Sequence, residues 1–157
     1  MKKKQGHQSF ADLAVNRRKL NTRFFDQVDA VLDWKSIEKK LNRYYRKGRR
    51  LDGNLAYSGL LLFKMSLLGI WYGLSDRQVE DRVNDSLASM RFCGLSLEES
   101  VPDHSILSRF RTEVTQNGGW DVLLMEINLQ LNRHGLLLRS GIFVDASIVS
   151  GPQNQTF

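Results

Sequence analysis

Leu55-Ala-Tyr-Ser-Gly-Leu-Leu-Leu-Phe-Lys-Met-Ser-Leu-Leu-Gly-Ile-Trp-Tyr72 lies in the most hydrophobic part of the chain and reads as one long helix. Leu60, Leu61, Phe63, Leu67, Leu68 and Trp71 set apolar side chains nearly all round it, which is the pattern of a helix enclosed by others. Asn54 is placed to cap its start and Gly73 to end it. Lys64, Ser66 and Gly69 interrupt the run, so it falls short of a membrane span. The expectation is a core helix in a cytoplasmic protein, with no membrane contact.

The remaining segments supply helices to pack around this one. On the N-terminal side, Phe24, Phe25, Val28 and Leu32 follow three-to-four spacing from Asn21 onward. Asp33 can cap a second helix with Ile37, Leu41 and Tyr44 on one face, ended by Gly48. On the C-terminal side, Ser75-Asp-Arg-Gln78 has the form of a capping box, starting a helix through about Val83. Asp85-Ser86 precede a helix over Leu87–Cys93 closed by Gly94, with Cys93 read as a small buried hydrophobe. Pro102-Asp103 open His104–Thr115, whose apolar face is Ile106, Leu107, Phe110 and Val114; Asn117-Gly-Gly119 break it. Trp120–Arg133 carries Leu123, Leu124, Ile127 and Leu131 on one side and stops at Gly135.

Then the pattern changes. Gly141-Ile-Phe-Val-Asp-Ala-Ser-Ile-Val149 reads as a strand, with Phe143, Asp145 and Ser147 on one face. An acid in mid-strand is costly if buried without a partner. A lone strand leaves its backbone unsatisfied, so this one implies a sheet beyond it. The fold class expected is therefore mainly α, in three parts: a basic arm over 1–20, a helical bundle over 21–135, and a first strand within 136–157.

Composition fits one domain plus part of another: 157 residues, 41% hydrophobic and 25% charged. A single cysteine excludes an intramolecular disulfide and any multi-cysteine zinc site. Charge is uneven. Residues 1–50 hold 15 Lys+Arg against 5 Asp+Glu, whereas residues 51–157 hold 8 against 12. So basic an N-terminal third is the footprint of a polyanion binder, with a merely solubilising arm as the alternative. Arg17, Arg18, Lys19, Arg49 and Arg50 are the clustered cations. Short helices from Leu74 to Arg111 suggest a helix-turn-helix arrangement, with Arg109 and Arg111, and Ser105 and Ser108, able to reach phosphates or base edges.

Several spaced strings carry a family resemblance. They are Trp71-Tyr-Gly-Leu-Ser-Asp76, Val79-Glu-Asp81, Ser89-Met-Arg-Phe92 with Gly94-Leu-Ser96, Val101-Pro-Asp-His-Ser-Ile-Leu-Ser-Arg-Phe-Arg111 and Gly141-Ile-Phe-Val-Asp-Ala-Ser147. Together they resemble the transposases of bacterial insertion sequences in family five, from about Phe10 to Val149. The resemblance implies a DDE transposase: a helical DNA-binding region followed by an RNase-H-like catalytic domain of α/β type. It makes Asp145 the first acid of a catalytic triad and a ligand of Mg²⁺, and the terminal inverted repeats of the element its DNA partner. Two divalent ions about 4 Å apart need several carboxylates to hold them. Phe157 comes before a second aspartate or a glutamate of that triad, so the expectation is that this polypeptide alone is inactive. Three readings stay open: the N-terminal part of a transposase completed by a further segment, a truncated regulator that occupies element ends or pairs with intact transposase or with itself, and a remnant without function.

Overall fold

The computed structural model describes residues 23–46, 57–139 and 142–145. Seven helices and two strands follow one another in these residues: α1 (Arg23–Val31), α2 (Trp34–Leu41), α3 (Gly59–Tyr72), α4 (Asp76–Asp85), α5 (Leu87–Cys93), α6 (His104–Gln116), α7 (Trp120–Arg133), β1 (Leu136–Arg139) and β2 (Ile142–Asp145). No helix among the described residues is long and apolar enough to cross a membrane.

The all-round apolar helix is the hub. α3 packs against α2, α4, α5 and α6, and Leu62, Phe63, Met65, Leu67 and Leu68 are almost wholly enclosed. Burying side chains of this size stabilises by about 1.5–3 kcal/mol each. Its two polar residues are accommodated locally. Ser66 Oγ donates to the Leu62 carbonyl (2.9 Å), and Lys64 Nζ donates to the Phe92 carbonyl (3.0 Å) while lying 4.5 Å from the Trp34 ring centre. That ammonium therefore ties α3 to α2 and α5 in place of interrupting the core. Aromatic rings gather at both ends of the hub. Phe25 stacks on Phe92 (4.6 Å) beside Trp34 and Trp71, and Phe63 stacks on Trp120 (5.8 Å) beside Phe110.

Helix ends follow the expected chemistry. Asp33 accepts from the Lys35 and Ser36 amides, and Ser75 and Gln78 complete their capping box. Ser86 and Asp103 cap α5 and α6. Gly73 (φ 64°) and Gly94 (φ 82°) end α3 and α5 in the left-handed conformation that a Cβ disfavours.

Four boundaries differ from the sequence reading. α3 begins at Gly59 and not at Leu55, with Tyr57 and Ser58 outside the helix. Tyr57 Oη is 2.9 Å from Ser100 Oγ, and a Cβ on Gly59 would come within 2.9 Å of the Tyr45 ring, so tertiary contacts fix the entry. α2 stops at Leu41, well before Gly48. Past it, Tyr44 packs its ring on Gly119, its carbonyl accepts from Asn117 Nδ2 (2.8 Å), and Tyr45 meets Phe110 at 4.9 Å. These contacts outweigh the helical propensity of the following basic residues. α4 runs to Asp85, two residues past Val83.

The fourth difference concerns the strand, which has a partner. β2 pairs antiparallel with β1 in the register Leu136↔Asp145, Leu137↔Val144, Leu138↔Phe143 and Arg139↔Ile142. Among the described residues Asp145 thus lies on the second strand of a two-stranded sheet, not on a first and solitary one. Leu136-Leu-Leu-Arg139 lacks β-branched residues and alternation, which hid it; the Ser140-Gly141 dipeptide between the strands is the turn signal that points to it. Residues 146–149 of the expected strand lie outside the described residues.

A largely buried polar network fastens α7 to both ends of α2. Lys40 Nζ donates to Glu126 Oε2 (2.6 Å), Gln130 Nε2 donates to Glu126 Oε1 (2.9 Å), and Gln130 Oε1 accepts from the Asp33 amide (2.7 Å). The ammonium, then the Gln130 amide, hold the Glu126 carboxyl below the usual carboxylate range.

Candidate nucleic-acid interface

Three of the spaced strings that carry the family resemblance, those holding Asp76, Glu80 and His104 to Arg111, meet in space. Asp76, at the start of α4, forms an ion pair with Arg111 of α6. One turn later on α4, Glu80 accepts from the His104 amide (3.2 Å) and faces the His104 ring, with Nδ1 at 3.5 Å. Asp103 accepts from the Ile106 amide and the Ser105 hydroxyl (2.9 and 2.7 Å), and these bonds hold its carboxyl below the usual range. Phe110 is in the core. Asp76, Glu80, His104 and Arg111 of these strings thus clasp α4 to α6, and so help to build the fold.

The helix-turn-helix arrangement takes a different form from the one expected. α4 and α5 share Ser86 as C-cap and N-cap, with no three-to-four-residue turn between them, and α4 instead packs directly on α6. Arg109 and Ser108 face solvent on α6, but several hydroxyls there are already engaged: Ser105 with Asp103, Thr112 with the Ser108 carbonyl (2.9 Å), and Thr115 with the Arg111 carbonyl (2.7 Å). With Arg111 turned toward Asp76, Arg109 is the exposed cation of α6 that makes no ion pair among the described residues.

The cations fall into two groups. Lys40, Lys64, Arg82 and Arg111 are tied into the molecule, Arg82 through the face of Tyr72 at 4.5 Å. On α2, Lys35 and Lys39 point away from the buried pair Ile37 and Leu41, and Arg43 follows one turn on; all three are exposed and make no ion pair among the described residues. Across the described residues 14 Lys+Arg face 15 Asp+Glu, so the excess of positive charge resides in the other segments, with 9 against 2. Arg17, Arg18, Lys19, Arg49 and Arg50 fall there, outside the described residues.

Residues 14–113 match the family model described as Transposase domain (DUF772). The chain belongs to this transposase-domain family. No solved structure matches it. The match begins in the basic N-terminal third and ends within α6 of the transposase domain, so it takes in the α3 hub and the whole α4–α6 clasp.

Asp145 lies beyond the match, at the end of β2 and opposite Leu136, which opens β1 shortly after α7 ends at Arg133. No three His, Cys, Asp or Glu side chains gather to hold a metal ion among the described residues. These residues do not by themselves compose a Mg²⁺ site. Cys93 is buried on α5, and burial pushes its thiol up to about 12, which leaves it no nucleophilic role. Two features escaped sequence reading. The Lys40–Glu126–Gln130 network did so because it joins distant segments, and the division between tied and free cations has no local signal at all.

Proposed function

We propose that this transposase domain is the DNA-end-binding part of an insertion-sequence transposase of family five. It holds the terminal inverted repeats of its element while an RNase-H-like module of the DDE type cuts and rejoins the strands. The observation that carries the reading is the transposase-domain match over residues 14–113. The basic N-terminal third supports the DNA half of it. In that scheme Asp145 contributes one carboxylate to a Mg²⁺ site, and strand cleavage requires further acidic residues besides it, since one carboxylate cannot clamp two ions.

The test is fluorescence anisotropy of the 157-residue chain on a duplex carrying the element's terminal repeat and on a scrambled duplex. Tighter, salt-sensitive binding to the repeat is expected. Equal affinity for both would overturn end recognition. Mg²⁺-dependent nicking by this chain, lost in Asp145→Ala, would overturn the requirement for additional acids.

A regulator reading is favoured by one observation. The buried apolar side chains of the described residues all lie between Phe25 and Leu131, with Leu136 of β1 partly buried against them. A domain so built can occupy DNA ends without cutting them and so compete with intact transposase.

A further inference from the structure

We infer that the outward row Lys35, Lys39 and Arg43 is a phosphate-contacting surface for duplex DNA that positions the duplex without reading its sequence; this rests on the DNA-binding reading above. The geometry of α2 carries the argument. Ile37 and Leu41 are fully buried, so the opposite side of the helix is directed to solvent, and Lys35 and Lys39 occupy it. Four helical residues rise about 6 Å, so the row is a line of cations at regular intervals. Arg43 extends this line past the helix end, where the Tyr44 contacts with Gly119 and Asn117 fix the turn.

Three further features define what the row can bind. Lys40, the other lysine in this part of α2, is turned inward to Glu126, so the free cations are segregated on one side of the helix. The nearby acids do not neutralise them. Asp33 is occupied in capping, Asp29 accepts from Trp34 Nε1, and Glu38 is half-buried on the flank. Of the other exposed acids among the described residues, Asp26 lies on α1, Asp81 and Asp85 on α4, Glu98 and Glu99 after α5, Asp103 at the cap of α6 and Asp121 on α7. Finally, Asn42 is an exposed neighbour in this face, and among the described residues the rings nearest the row, Trp34, Tyr44 and Tyr45, are half-buried. Single-stranded nucleic acid is gripped by stacking bases on exposed rings, so a row of cations without them suits the evenly charged backbone of a duplex.

The experiment compares the full chain with two charge-matched triple variants. One carries Lys35→Gln, Lys39→Gln and Arg43→Gln; the other carries Arg77→Gln, Arg91→Gln and Arg133→Gln, exposed cations on α4, α5 and α7. Binding to repeat and scrambled duplexes is followed by anisotropy from 50 to 200 mM salt, with circular dichroism confirming that both variants are folded. Each cation withdrawn from a phosphate lowers the salt slope by about 0.9, so the α2 variant should show a slope smaller by about 2.7, and its fourfold salt titration should weaken binding about 40-fold less than in the parent chain. The control variant should keep the parent slope, and the ratio of affinities for repeat and scrambled DNA should be the same in all three proteins. An unchanged slope in the α2 variant overturns the row while leaving DNA binding intact. Equal losses in the two variants overturn a localised surface. A changed repeat-to-scrambled ratio overturns the positioning role, and row-dependent binding to anionic vesicles without binding to DNA overturns the choice of partner. No binding by the parent chain overturns the underlying reading as well.

Discussion

Replacing Lys40 by methionine should expose the asymmetry of the network that fastens α7 to α2. Glu126 keeps about a tenth of its side-chain exposure, whereas Lys40 keeps 36%. Removing the ammonium leaves an enclosed carboxylate with the Gln130 amide as its remaining partner. A fully buried pair broken this way costs about 3–5 kcal/mol, and an exposed one at most about 1 kcal/mol. The partial exposure of Lys40 places Lys40→Met between them, at about 2 kcal/mol. Glu126→Gln leaves a lysine able to turn to water and an amide oxygen still accepting from Gln130, so about 1 kcal/mol is expected.

The pH dependence follows from the depressed carboxyl of Glu126. A carboxyl lowered by folding contributes stability that is complete above its unfolded pKa, about 4.3, and is lost as pH falls through the folded value. Lys40→Met removes the ammonium's share of that contribution, the larger one, and leaves the Gln130 share. Its deficit against the parent chain should therefore be full at pH 7 and shrink at roughly pH 3.5, below the unfolded glutamate value. Urea unfolding followed by far-UV circular dichroism reads both quantities. Equal losses for Lys40→Met and Glu126→Gln, or a deficit for Lys40→Met that does not change with pH, would refute the reasoning.

Ser75→Ala removes the hydroxyl half of the α4 capping box and should cost about 1 kcal/mol in urea unfolding, with Ser75→Gly costing only a few tenths. Gly119→Ala places a Cβ 2.6 Å from Tyr44 Cγ at an ordinary backbone conformation, so repacking of Tyr44 should destabilise by about 1–3 kcal/mol; a neutral melting curve would contradict the close approach. Cys93, with its thiol pushed up to about 12 by burial, should resist an aromatic disulfide reagent at pH 8 until the protein is unfolded, and rapid native labelling would show that α5 opens.

The helices were legible because their signals are local. Ser75 with Gln78, Asp103, and the glycines at 73 and 94 are caps that work within a few residues of themselves, and the apolar spacing of α6 and α7 gave their buried faces directly. What the sequence hid depends on distant partners. The end of α2 at Leu41 is set by Gly119 and Asn117, more than 70 residues on, and not by any breaker near Leu41. β1 has no β-branched residue and is defined by its pairing with β2. At the candidate interface, Arg111 and Arg109 look alike in sequence and both are exposed, yet Asp76 engages Arg111 alone.

The most direct measurement is a hydroxyl-radical footprint of the 157-residue chain on a duplex that joins an element end to flanking DNA. DNA-end binding by the transposase domain predicts protected sugars confined to the terminal inverted repeat, persisting at a salt concentration that clears the flanking sequence. Uniform protection along the whole duplex, or none, would contradict it.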